Sequence, residues 1–264
     1  MSITQAILGK IFQSAGKSPS QKEMSFLEHL DELRSKIIKA LIGILVGTIL
    51  CVFFADFIVQ NVLLHPLRAL GLKTQVLSPY GIVMLYMESV LICGIILSMP
   101  YTVYCLWTFV APGLLPKERR YISRIVFFTS FCFFAGVAFG YYILLPGALA
   151  FFASFGTQNI DLNIALDQYV SFMLTLLLGA GLVFELPMVS YFLSKMGILT
   201  PKFMRKYRRH AIVVIFIISA VVTPTPDMVT QTLLALPMYL LYEVSIFISK
   251  YSQKETASSP EDAA

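Results

Sequence analysis

The stretch YVSFMLTLLLGAGLVFELPMVSYFL, residues 169–193, contains no Lys or Arg and a single acid, Glu185. A run of this kind matches the roughly 20 apolar residues that a helix needs to cross the hydrocarbon core of a bilayer. Its apolar residues are continuous, whereas the strands of a membrane barrel alternate apolar and polar side chains. Five comparable runs lie at 37–57, 82–110, 122–145, 210–222 and 228–248. Together they predict an all-α integral membrane protein with six transmembrane helices. The 264-residue chain as a whole is 57% hydrophobic and 13% charged, with mean hydropathy +0.77. Soluble domains carry roughly 25% charged residues, so a soluble fold is excluded as the reading.

The run at 210–222 stops at Thr223-Pro224-Thr225-Pro226. The last two helices are therefore expected to be short. Either the bilayer thins over them or water reaches a shallow outer side, or Tyr207–Arg209 extend the fifth helix and snorkel.

Orientation follows from the basic residues, which concentrate in cytoplasmic loops. All of the 20 Lys and Arg residues except Arg68 and Lys73 fall on the side that bears the two ends of the chain. Both termini are thus expected in the cytoplasm, and the protein in the cytoplasmic (inner) membrane. The net charge of +5 is accounted for by this asymmetry and by contact with anionic lipid, without a nucleic-acid partner. Three parts are expected: an N-terminal cytoplasmic extension at 1–25, a six-helix domain at 26–249 and a disordered tail at 250–264. Met1–Lys39 lacks the apolar core and cleavage site of a removable signal peptide, so the first span should act as its own uncleaved signal.

No catalytic constellation is apparent. His29, His65 and His210 are scattered, and neither GxSxG nor HExxH occurs. Cys51, Cys93, Cys105 and Cys132 lie inside apolar runs without a CxxC pair, which points to small buried hydrophobes rather than metal ligands. No enzyme activity, metal or cofactor is expected.

The acids carry most of the information. Glu185 lies deep in the fourth run, where a carboxylate costs a few kcal/mol and is a functional candidate by default; Pro187 should bend its helix. Glu28, Asp31 and Glu32 sit in FLEHLDELR at 26–34, an amphipathic helix whose Phe26, Leu27, Leu30 and Leu33 share a face. Acids on a basic side, beside anionic lipid, call for a cationic ligand. The local alternative is pairing of Glu32 with Lys36 and of Asp31 with Arg34, worth only tenths of a kcal/mol. Glu118 follows the stiff turn Ala111-Pro112-Gly113-Leu114-Leu115-Pro116. Asp227 is placed to cap the sixth helix, and Glu243, nearer an interface, repeats the Glu185 argument.

Four segments, in this order on this frame, resemble the TatC family, the multi-spanning receptor subunit of the twin-arginine protein translocase. They are HLDELR at 29–34, FVAPGLLPKERR at 109–120, FELP at 184–187 and TPTPDMVTQTLLALPMYLLYE at 223–243. The resemblance implies that the chain binds twin-arginine signal peptides of folded cargo. It further implies assembly with TatA-type and TatB-type single-span proteins, as a homo-oligomer within the complex, and transport driven by the proton-motive force. Carried over, Glu32 and Glu118 would meet the two arginines, with Phe109, Arg119 and Arg34 around them. Glu185 would be the polar intramembrane position facing a partner helix or the inserted peptide, Asp227 the acid at the short outer loop between the last two spans, and both, with Glu243, polar partner contacts. The chain departs from the family pattern after Ser78-Pro79, where Tyr80 and Gly81 stand in place of an acid and Glu88 follows further in.

A secondary transporter for a small solute is the competing reading, because intramembrane carboxylates and Pro-broken helices occur there. Such folds carry internal repeats. Here the runs differ in length, and Glu185-Pro187 and Pro237-Glu243 stand in opposite order.

Overall fold

The computed structural model describes residues 26–71, 73–110, 122–154, 163–223 and 228–257. The long helices are α1 (Phe26–Phe53), α2 (Gly81–Val110), α3 (Ile122–Phe139), α4 (Leu145–Ser154), α5 (Leu166–Val183), α6 (Leu186–Lys195), α7 (Arg208–Val222) and α8 (Met228–Ala257). A π-helical turn, Gly140–Leu144, joins α3 to α4. Pro146, just beyond it, has no N–H to continue the α-helical ladder, a usual cause of such a bulge.

Five helical stretches are long and apolar enough to cross a membrane: Leu30–Phe53, Gly81–Val110, Ser123–Ser154, Leu166–Lys195 and Met228–Lys250. The remaining helix, α7, has 15 residues. At 1.5 Å per residue it spans about 22 Å, short of a core of about 30 Å. The expected short last pair is thereby corrected, because the stretch of α8 that is apolar enough to cross, Met228–Lys250, has 23 residues and the shortness belongs to α7. Pro237 is accommodated inside α8, as happens in membrane helices whose neighbours satisfy the freed backbone groups.

Packing is centred on α5 and α6. In the apolar 18-residue window of Leu166–Lys195, 61% of the residues are buried, against 11% in that of Leu30–Phe53, which lies at the edge against α2. From α5, Tyr169, Met173, Leu174, Leu177 and Ala180 meet Leu144, Leu145, Leu234 and Met238 in the core. Since lipid is as apolar as these side chains, close backbone approach does the work that water exclusion does elsewhere. Two seams show it. A Cβ on Gly94 would lie 2.5 Å from Thr48 Cα, where α2 crosses α1, and one on Gly136 would lie 2.7 Å from the Ala180 carbonyl oxygen, where α3 crosses α5.

At the end opposite the termini, the chain between α1 and α2 forms the expected short helical turns, Ala55–Phe57, Ile58–Leu63 and His65–Ala69. It also contributes something not expected from the sequence. Strand β1 (Lys73–Gln75) pairs in parallel with β2 (Asn163–Ala165), Thr74 opposite Ile164. Tyr169 and Tyr141 fasten this end by donating to the carbonyls of Leu63 and Val62, at 3.0 and 2.9 Å.

Candidate functional site

Glu32 stands in the second turn of α1, half-buried, and its Oε2 is buried with no hydrogen-bond partner among the described residues. Neither local pair forms: among the described residues no ion pair joins Glu32 to Lys36 or Asp31 to Arg34. Arg34 is exposed. Because α1 and α2 pack antiparallel with Gly43 against the Tyr101 ring and Gly47 against Gly94, extending that register brings Glu32 level with the last turn of α2. That turn holds Phe109, which is half-buried. Glu32 and Phe109 therefore share one end of one helix pair. Glu118 and Arg119 lie outside the described residues, as does Asp227.

Glu185 sits at a true break in the fourth span. Helix α5 ends at Val183, α6 begins at Leu186, and the Phe184 and Glu185 amides turn back to the carbonyls of Ala180 and Leu182 at 3.1 and 3.2 Å. The cause is Pro187, which has no N–H for the Val183 carbonyl and whose ring would crowd it. The Phe184 ring packs on Phe139 of α3 with centroids 5.4 Å apart. Glu185 Oε1 is buried and has no hydrogen-bond partner among the described residues. A carboxyl in that position is primed to accept a hydrogen bond from another group.

Glu243 has its partners within the chain. Arg208 Nη2 lies 2.7 Å from its Oε2, and the Tyr239 hydroxyl donates to its Oε1 at 3.2 Å. Close by, the Tyr242 hydroxyl donates to the Met204 carbonyl at 2.8 Å. These contacts bind the segment leading into α7 to α8. Sequence reasoning did not find Arg208 as a partner. The only available signal was an acid in α8 and a basic cluster at 205–209 on the same side of the membrane, and several basic residues fit that description.

Glu88, left open by the sequence, accepts a hydrogen bond from the Ser171 hydroxyl of α5. Both line an open notch of about 440 Å³ between α2 and α5, together with Asp167, Gln168 and Thr175. Glu88 is thus an interhelical acid at the end opposite the termini. Among the described residues no cluster of His, Cys, Asp and Glu is arranged to hold a metal, and the four cysteines are free thiols.

The family described as Sec-independent protein translocase protein (TatC) matches residues 28–237. The chain is 40% identical over 230 residues to the Sec-independent protein translocase protein TatC of Carboxydothermus hydrogenoformans, covering 87% of this chain and 94% of that one. It is 40% identical over 223 residues to the protein of the same name from Helicobacter pylori strain 26695, covering 84% and 86%. Among solved structures, the twin-arginine translocase receptor TatC superposes with a TM-score of 0.77 at 34% identity, covering 86% of this chain and 100% of that one.

Proposed function

Because the chain belongs to the TatC family of Sec-independent protein translocase proteins, we propose that it acts as the receptor that reads the arginine pair of twin-arginine signal peptides. The observation that carries this is Glu32, whose half-buried side chain has its Oε2 without a partner among the described residues at the end of the α1–α2 pair, level with Phe109. Glu118, in the segment following α2, would supply the second acid, and Arg119 and Arg34 would border the site. A guanidinium meets a carboxylate through two parallel N–H groups, which Lys cannot reproduce, so the site should prefer Arg over Lys. Each partly exposed pair contributes only about 1 kcal/mol. Tight binding then also needs the apolar part of the peptide against the bundle.

The membrane placement completes the reading. With both termini in the cytoplasm of a bacterial cell, Glu32 lies on the side of the compartment where folded cargo waits. Glu185, at a break within the span, would receive a polar group from a TatA-type or TatB-type single-span helix, and Asp227 would be a further partner contact. Several copies would assemble with these partners, and the proton-motive force would drive transport. The protein is a translocase component rather than an enzyme.

Photocross-linking of a signal peptide to membranes containing this protein tests the assignment. An Arg-Arg peptide should cross-link to the wild type and lose most of that signal with Glu32→Ala or Glu118→Ala, and a Lys-Lys peptide should behave like the variants. Equal cross-linking in every arm would sink the receptor role.

A further inference from the structure

Several helical Ser and Thr hydroxyls in this bundle bond back to their own preceding turn, while Thr48, Thr102, Thr129 and Ser130 have no partner among the described residues. Thr108 donates to the Tyr104 carbonyl at 2.7 Å, Thr232 to Met228 at 2.6 Å, and Ser245 to Leu241 at 2.8 Å. Thr129 does not. It is 4% exposed, and its Oγ1 is buried with no partner among the described residues. Spacing on α3 shows where it faces. Thr129, Phe133, Gly136 and Gly140 are all buried and recur every three or four residues, so they form one stripe. Along that stripe Gly140 meets Leu177 and Ala180, Gly136 meets Ala180 and Phe184, and Phe133 meets Gly181. One further turn along that stripe places Thr129 level with the helix break and the first turn of α6.

Two buried polar atoms without partners among the described residues, Thr129 Oγ1 and Glu185 Oε1, thus lie at the seam where α3 passes the α5–α6 break. They are not bonded to each other. The break adds a third polar group, because Pro187 deprives the Val183 carbonyl of its helical donor. Buried waters satisfy groups of this kind with about three hydrogen bonds each. We infer that Thr129 is a positioning residue for Glu185, joined to it by a single bridging water that accepts from the Thr129 hydroxyl and donates to Glu185 Oε1. The bridge holds one carboxyl oxygen toward α3 and leaves the other for a partner's polar group. This use of the second oxygen rests on the proposed partner contact; the bridge itself does not.

The test is infrared spectroscopy of the purified full chain in lipid nanodiscs. The Glu185 stretching band is identified as the one lost in Glu185→Gln. Thr129→Val keeps the shape and removes the hydroxyl, and should shift that band; Thr129→Ser should leave it at the wild-type position. If Thr129→Val does not fold, Thr129→Ala against Thr129→Ser makes the same comparison. A band unmoved by loss of the hydroxyl overturns the inference. Co-purification of a single-span partner is read in parallel with wild type, Thr129→Val and Glu185→Gln. A shifted band with unchanged co-purification in Glu185→Gln upholds the bridge and contradicts the partner role; lost co-purification with an unmoved band does the reverse.

Discussion

Arg208 Nη2 and Glu243 Oε2 lie 2.7 Å apart and tie the first turn of α7 to α8. The short helix needs this tie. Its 15 residues bury little of themselves, with Ile215 and Ser219 the buried positions. Its other anchor is polar as well: the Ser219 hydroxyl donates to the Gln231 carbonyl at 2.6 Å, and Gln231 donates to the Phe216 carbonyl at 2.9 Å.

The ion pair should nevertheless be modest in energy. Its side chains are 45% and 24% exposed, and exposed pairs are screened and entropically costly. A double-mutant cycle with Arg208→Ala and Glu243→Ala should give a coupling of about 1 kcal/mol or less, read by unfolding in detergent. Raising the salt concentration should shrink it.

A far larger penalty is expected at the α1–α2 crossing. With Thr48 Cα only 2.5 Å from a Cβ at Gly94, Gly94→Leu must force the two backbones apart. Overpacking of this kind costs about 1–3 kcal/mol or more. The folded yield in detergent should fall sharply, and Gly94→Ala should fall between Gly94→Leu and the wild type.

For the Glu88–Ser171 hydrogen bond, Ser171→Ala should cost about 1 kcal/mol of stability. Glu88→Gln keeps an acceptor for the Ser171 hydroxyl and should cost less. Thermal unfolding of the two variants and their combination separates this from a general effect of removing charge, which would place the larger loss on Glu88→Gln.

What could be read from the sequence depended on whether the cause was local. The break at Phe184–Glu185 was foreshadowed by Pro187, because a missing N–H acts on its own helix. The short α7 followed in the same way from the Pro-rich segment after Thr223. The length of α8 did not, since an apolar run marks where lipid ends and a helix can continue past it. Pairings between distant segments were equally hidden. Arg208 and Glu243 are 35 residues apart, and only the packing of α7 on α8 selects this arginine from its basic neighbours. The β1–β2 pairing joins two loops whose sequences carry no strand pattern. Thr129 is one hydroxyl among many until the α3 stripe is laid against α5. Of the acids expected on the cytoplasmic side, Glu32 stands out by its sign against a basic surrounding, and the structure adds that its Oε2 is buried with no partner among the described residues.

The central claim, that Glu32 reads arginine, is tested most directly by equilibrium binding of a labelled twin-arginine signal peptide to the full-length protein in nanodiscs. With each pair worth about 1 kcal/mol, Glu32→Ala should weaken the Arg-Arg peptide roughly fivefold and leave the affinity of a Lys-Lys peptide nearly unchanged. Equal weakening of both peptides, or of neither, would contradict the account.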